Sequence, residues 1–262
     1  MFLDTIHGTI DRRILLNYRF DPKTLQKVLP PVFRPKLYKG HGIGGVCMIR
    51  FHQLRPRYTP SWLGINSENA AHRIAVEWEE DGEKKEGVFI PRRDTNSGFN
   101  KALGGRVFPG IFNRSTFTSN DTLESLSLQI TRPDGSKQIH FAGHLTNKIL
   151  ATSLFSSLDE AANFFSLGAT GYSATWDPDH FHGMELYCLK WSIEPLAIEH
   201  ASSAFYDDRN IFPAGTVELD SALVMRNIPH EWHSRPDLYV GDDGSGLTKR
   251  CTRRLPMRVK RA

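Results

Sequence analysis

Between Ser67 and Arg114 ionisable residues sit at strand spacing among apolar ones, a combination that restricts what this chain can fold into more than any other stretch. The segment reads SENAAHRIAVEW, an acidic turn, then GVFIPRRDTNSGFNKALGGRVFPGIFNR. In IAVEW, Ile74, Val76 and Trp78 alternate with Ala75 and Glu77, the period of a strand with one face buried. Carried back, the same period puts Glu68, Ala70 and His72 on the face of Ile74, so a carboxyl and an imidazole are expected to point toward the core. The second run, Val88, Phe89, Ile90 and Pro91, ends in Arg92, Arg93 and Asp94. A buried carboxylate is costly unless paired, and arginines of the next strand are the expected partners. Two readings stand at this point, a structural ion-pair network and a ligand site, because perturbed groups mark sites only statistically.

A chain of 262 residues can bury a substantial core, as one large domain or two small ones. With 39% hydrophobic and 24% charged residues it has a globular composition. No run approaches the roughly 18 apolar residues of a membrane span, so no membrane partner is expected. Asp4 and His7 fall where a signal peptide needs an unbroken apolar stretch, and a cytoplasmic location is the expectation. Cys47, Cys188 and Cys251 are odd in number and far apart, which fits neither a disulfide framework nor a metal knuckle, and Cys47 and Cys188, in apolar strand candidates, read as buried thiols. The formal net charge is +4, yet residues 249–262 supply seven positive and no negative groups, which leaves the remainder at −3. Nucleic-acid binding would rest on that short basic tail alone, and such ends are more often solvated termini. The expected organisation is one domain over residues 1–248 with a basic tail over 249–262.

Taken in order, DRRILLNYR is a strand candidate, followed by a helix with Asp21 as N-cap, Pro22 in the first turn, an apolar stripe of Leu25, Val28 and Leu29, and a stop at Pro30-Pro31. Gly40 to Gly45 formally match G-x-G-x-x-G, but VCMIRF follows with strand composition where a dinucleotide site needs a helix, so no nucleotide cofactor is expected. STFTSNDTLESLSLQI alternates, and the Pro133-Asp134-Gly135 turn leads to KQIHFAGHLT, where His140 and His144 share a face. A second helix has Ser157 as cap, Glu160 completing a capping box, an apolar face of Ala161, Ala162, Phe164, Phe165 and Leu167, and Gly168 as its stop. WDPDHFHG reads as a loop with His180, His182, Asp177 and Asp179, but their spacing matches no usual ligand set, so no metal is expected. Many short strands with two amphipathic helices imply an α+β chain, mainly antiparallel β, closed or strongly curved.

Three segments carry a resemblance. LLNYRFDPKTLQKVLPPVFRP resembles the early strand-helix segment of acetoacetate decarboxylases, SENAAHRIAVEW their active-site glutamate segment, and GGRVFPGIFNR their Gly-Arg…Tyr-Pro-Lys-Lys segment. The chain through MRNIPHEWH resembles more closely an uncharacterised bacterial branch of that superfamily, often called YqjF-like. The resemblance implies a cone-shaped β-barrel with an internal apolar cavity and two main flanking helices. It places Glu68 on the family's active-site glutamate, and Arg12 or Arg13 near its cavity arginine. Counting from Arg106 puts Asn113 and Arg114 at the family's lysine pair, and matching Phe108-Pro109 instead puts Gly110 and Ile111 there. Neither supplies an amine, so the Schiff-base route is not expected. The expectation is a small anionic or keto ligand, with Glu68 as general acid or base, His72 sharing its proton, and Arg106 stabilising developing charge. Arg92, Arg93, Asn113 and Arg114 would bind the substrate. Lys101 is the nearby lysine that would have to replace the missing nucleophile, and its loop setting argues against that. The other reading is a noncatalytic small-molecule-binding protein using the same cavity. Decarboxylases of the superfamily form oligomers, which extends a homo-oligomer to this chain as an expectation.

Overall fold

The computed structural model describes residues 5–80, 82–98, 109–240 and 247–250. In chain order these form β1 (Thr5–Phe20), α1 (Pro22–Val28), β2 (Arg34–Pro35), β3 (Leu37–Tyr38), β4 (His41–Pro56), β5 (Ile65–Glu80), β6 (Glu83–Thr95) and β7 (Phe112–Arg114). There follow β8 (Thr116–Asp121), β9 (Ser125–Thr131), β10 (Lys137–Leu145), α2 (Leu158–Leu167), β11 (Thr170–Ala174) and β12 (His180–Cys188). The last are β13 (Glu194–Ser203), β14 (Val217–Ser234), β15 (Asp237–Val240) and β16 (Leu247–Arg250). The strand to Arg250 enters the segment expected as a tail, and residues 251–262, with Cys251, lie outside the described residues. None of the described helices is long and apolar enough to cross a membrane.

Strand pairing closes on itself. β5 pairs with β4, β4 with β1, β1 with β14, β14 with β12, β12 with β11, and β11 with β6, which returns to β5. Within this ring the β6–β11 pair is parallel and the rest are antiparallel. Closure removes the free sheet edges that a strand-rich chain would otherwise expose. β14 forks: Ala222 to Val224 pair with β13, while His230 to Ser234 pair with β12. From β13 the sheet runs on through β10 and β9 to β8, a second lobe folded over the long strands.

Because β1, β4 and β5 are covered on both sides, both of their faces carry cores. Ile14, Leu16, Val46 and Met48 pack with Leu128, Ile130 and Phe141 of the second lobe. Leu15, Cys47 and Ile49 pack on the other side with Phe155, Ala161 and Phe165 from α2 and its approach. Strands buried on both faces lose clean alternation, which is why ILLNY and VCMI read as continuous apolar runs.

Local chemistry sets the helix ends. Asp21 accepts from Thr24 N at 2.8 Å and opens α1 with Pro22 in its first turn. Ser157 accepts from Glu160 N at 3.1 Å, but Glu160 does not close the box onto Ser157; its carboxylate takes the Ser156 N–H, the Tyr38 hydroxyl and Lys39 instead. Leu167, expected on the apolar face, is 63% exposed at the last position of α2, before the Gly168 cap. The glycines of GHGIGG lie in or beside β4. A Cβ at Gly45 would come within 2.1 Å of the Leu16 carbonyl oxygen, so close strand approach accounts for that glycine.

Candidate functional site

Register brings Arg12, Arg50 and Glu68 side by side, because Arg12 lies opposite Arg50 across β1–β4 and Arg50 opposite Glu68 across β4–β5. Two guanidiniums facing each other repel unless acids bridge them. Here Arg12 Nη2 donates to Glu68 Oε2 at 2.6 Å and Arg50 Nε to Glu68 Oε1 at 2.7 Å. Asp121, at the end of β8, takes Arg12 Nη1 at 3.0 Å and Arg50 Nη2 at 2.8 Å. Asp11 adds a contact to Arg50 at 3.3 Å, and Ser119 Oγ accepts from Arg50 Nη2 at 2.7 Å. The Glu68 backbone is clamped by Asn96, whose Oδ1 accepts from Glu68 N at 2.9 Å and whose N donates to Glu68 O at 3.1 Å. Arg12 is 2% exposed and Glu68 9%, whereas the Arg50 side chain keeps 32% of its surface in solvent.

Glu68 and His72 share a face as the alternation requires, but they are not hydrogen-bonded to each other. His72 Nε2 lies 3.1 Å from Ser203 Oγ, and its ring packs against Phe205 and Tyr206. Burial pushes its pKa down to about 4, so the imidazole is neutral near pH 7.

The arginines expected to pair with Glu68 go elsewhere. Arg92 makes a bidentate pair with Asp94 at 3.0 and 2.8 Å, and Ser115 Oγ donates to the same carboxylate at 2.9 Å. Arg93 points to the opposite face and donates to Ser173 Oγ at 3.2 and 2.9 Å. The cause is a register shift in the β5–β6 pairing between His72 and Ile74, beside Ile90 and Pro91, which reverses the parity of β6. Proline, which has no N–H for the ladder, is tolerated at such irregularities. Glu68's arginine partners therefore come from β1 and β4, and the other acids of the cluster, Asp11 and Asp121, from β1 and β8. One signal of this was legible: Arg50 follows Val46 and Met48 at strand spacing and so carries a charge on an apolar face.

Asn113 sits opposite Asp94 on β7, and its Nδ2 donates to the Arg93 carbonyl at 3.0 Å. Arg114, opposite Thr95, is exposed. Lys101 and Arg106 lie outside the described residues.

Histidines group differently from their sequence neighbours. The His140 ring lies 4.2 Å from that of His200, tilted by 44°, and His144 lies 2.8 Å from Glu199, so the two do not form a pair. His180 and His182 belong to strand β12 rather than a loop, and they meet Asp237 of β15 instead of Asp177 and Asp179. The ligand atoms of these three lie within 4.8 Å of one another. They are already engaged: His180 Nε2 is 3.1 Å from Asp237 Oδ2, and Gly110 N donates to His182 Nδ1 at 3.1 Å.

On the face of β5 away from Glu68, a cavity of about 90 Å3 is bordered by residues of all seven strands of the ring, with Phe165 of α2 beside it. Ile49, Phe51, Leu54, Met184, Leu186 and Trp232 supply apolar wall, and Arg13, Arg73 and Arg93 also line it. A smaller cavity of about 40 Å3 shares Arg13 and Arg73 and adds Lys36.

The sequence model of the DUF2071 family, described as an uncharacterized conserved protein, matches residues 8–214. No curated protein matches the chain. Among solved structures, acetoacetate decarboxylase from Legionella pneumophila is 13% identical, with a TM-score of 0.56 over 87% of this chain and 84% of its own. An acetoacetate decarboxylase-like enzyme from Sphingomonas wittichii RW1 is 14% identical, with a TM-score of 0.57 over 94% and 93%. The enduracididine biosynthesis enzyme MppR, complexed with pyruvate, is 10% identical, with a TM-score of 0.56 over 91% and 90%. At such identities the likeness is one of fold.

Proposed function

The chain belongs to the DUF2071 family and has the fold of acetoacetate decarboxylase-like enzymes, and on that premise we propose that it moves a proton next to the carbonyl of a small keto or carboxylate compound, without a Schiff base. The observation that carries this reading is Glu68 held by one guanidinium on each oxygen, at 2.6 and 2.7 Å, with Arg50 still partly open to solvent. The charge-assisted bonds fix the carboxylate in place. In the step, a C–H bond beside the substrate carbonyl breaks, its proton goes to a Glu68 oxygen, and the electron pair moves onto the carbonyl oxygen. Arg50 supplies the cation that stabilises this enolate, and Arg12 positions Glu68. Return of a proton from Glu68 to the same carbon restores the carbonyl, and where Glu68 has first traded its proton with water the result is an exchange. His72, bonded to Ser203, takes no part in the step.

Intact-mass analysis tests the absence of an imine. The full chain, incubated with α- and β-keto acids and borohydride, is expected to keep its mass. A reduced lysine adduct would overturn the reading. One observation favours a second reading: both Glu68 oxygens are already bonded, as suits a rigid binding protein rather than a base. Under that reading the barrel holds the same class of ligand without turnover.

A further inference from the structure

We propose that His180, His182 and Asp237 bind a borderline divalent metal ion of the zinc class, which fastens the β15–β16 pair to the ring of strands. The inference stands apart from the function proposed above, since no residue of the Glu68 cluster takes part. Spacing along the chain hides the set, because its carboxylate comes from another strand. In the β12–β15 ladder His180 lies opposite Tyr239 and Phe181 opposite Leu238, so the next residues in register are His182 and Asp237. Residues two apart in a strand share a face, which puts both imidazoles on the side of the Asp237 carboxylate.

His180 Nε2 and Asp237 Oδ2 stand 3.1 Å apart. Ligands at ~2.0–2.2 Å from a tetrahedral zinc ion are separated by about 3.3 Å, so these two already have the spacing of a shared ion. The ligand atom of His182, within 4.8 Å of both, has at most ~1.5 Å to close, a small turn of its ring. The surroundings orient the set. Tyr239 stacks on the His180 ring at 4.3 Å and 7°, and Gly183 N donates to Asp237 Oδ1 at 3.3 Å, which leaves Oδ2 toward the imidazoles. Two glycines let the backbones come this close. A Cβ at Gly183 would lie 2.7 Å from the Pro236 carbonyl oxygen, and one at Gly110 would lie 2.6 Å from Ser173 Cβ. Asp237 is buried and both histidines are half-buried, so the group is sheltered yet within reach of an ion.

A structural hydrogen bond to Asp237 needs only His180. The second imidazole on the same face, perpendicular to the first with ring centres 4.8 Å apart, adds nothing to that bond but completes a ligand set. Two imidazoles and one carboxylate suit zinc, whereas magnesium and calcium prefer sites built from oxygen. On loading, the metal takes the place of the proton between His180 Nε2 and Asp237 Oδ2, which moves to Nδ1 of the ring. His182 gives up the Gly110 N–H for the metal, and a water fills the fourth position. The clamp has something to hold: among the described residues β15 meets β12 through two registered pairs, and β16 meets β5 through Leu247 and Glu80 alone.

Calorimetric titration of the full, untagged chain with Zn2+, and with Co2+ followed by visible absorption, tests the proposal, with Mg2+ as control. Saturable zinc binding is expected, with a tetrahedral cobalt spectrum free of thiolate charge transfer. Affinity should fall by ~100-fold or more in His182→Gln and in Asp237→Asn, since even an outer-shell partner of a metal ligand is worth ~10–100-fold. His200→Ala, which breaks the His140–His200 pair of the second lobe, and Glu68→Gln are expected to retain it. Zinc should also raise the Tm of the wild type and leave that of His182→Gln unchanged. No saturable binding, equal affinity for Mg2+, a thiolate band, loss in His200→Ala, or affinity unchanged in both ligand variants would overturn the proposal. Should Asp237→Asn fail to fold, His182→Gln, at a half-buried position, still decides.

Discussion

Two buried arginines in β1 and β5, the strands on either side of β4, should respond differently to the same substitution. Arg12 is 2% exposed and contacts Glu68 at 2.6 Å and Asp121 at 3.0 Å. Arg12→Met leaves buried Glu68 and half-buried Asp121 sharing Arg50 alone. Breaking a buried pair costs about 3–5 kcal/mol, and because Arg50 still reaches both acids the lower end, about 3 kcal/mol, applies. In a chain of this size that lowers Tm by ~6–12 °C. Arg73 is 6% exposed and has no acid partner among the described residues. Burial brings its pKa from 12.5 to about 10, so the folded state disfavours its charge at every pH below that, by ~3 kcal/mol. Arg73→Met removes this penalty together with the Asn17 bond and the Phe165 contact, which are worth about 1.5–3 and up to about 2 kcal/mol. The net change is expected within about 2 kcal/mol of zero. Urea unfolding of both variants beside the wild type, without added anion, reads the difference. Equal destabilisation of the two would refute the distinction between a paired and an unpaired face.

His72 and His230 are both held at about 4 by burial against an ordinary 6.5, so the unfolded chain takes up protons first as pH falls. Their contribution is intact above pH 6.5 and is lost between 6.5 and 4, up to ~3 kcal/mol each. His72→Phe should flatten the acid limb of the stability–pH curve, and an unchanged slope would count against this account. Tyr206 is fully buried, and its hydroxyl joins the Gly45 and Arg73 carbonyls at 3.0 and 3.1 Å and the Gly45 N–H at 3.2 Å. Tyr206→Phe is expected to cost ~2 kcal/mol by denaturant titration, and an unchanged midpoint would show those groups satisfied elsewhere.

Residues that depend on local chemistry were legible in the sequence. Asp21 and Ser157 cap their helices, the Pro133-Asp134-Gly135 turn joins β9 to β10, and Ile74, Val76 and Trp78 share one buried face. Glu68 and His72 lie on that face as the alternation demanded. What escaped the sequence was register between distant strands. Arg12, Arg50 and Asp121 come from three separate strands and meet only through pairing, and the irregularity beside Pro91 turns Arg93 away from Glu68. A single extra residue in a strand reverses every side chain beyond it, so alternation read along one strand says little past a bulge. The arginine cavity has the same origin, since Arg13, Arg73 and Arg93 belong to three strands that a linear reading keeps apart.

Proton transfer at Glu68 is tested most directly by exchange of the α-protons of a small keto acid, such as pyruvate or acetoacetate, with deuterium from D2O, followed by proton NMR with wild type and Glu68→Gln. The account predicts exchange above the uncatalysed rate for at least one compound, reduced by about 100-fold or more in the variant, with Arg73→Met retaining it. Wild-type exchange no faster than buffer across the panel, or equal rates in wild type and Glu68→Gln, would contradict it and leave the barrel as a binding protein.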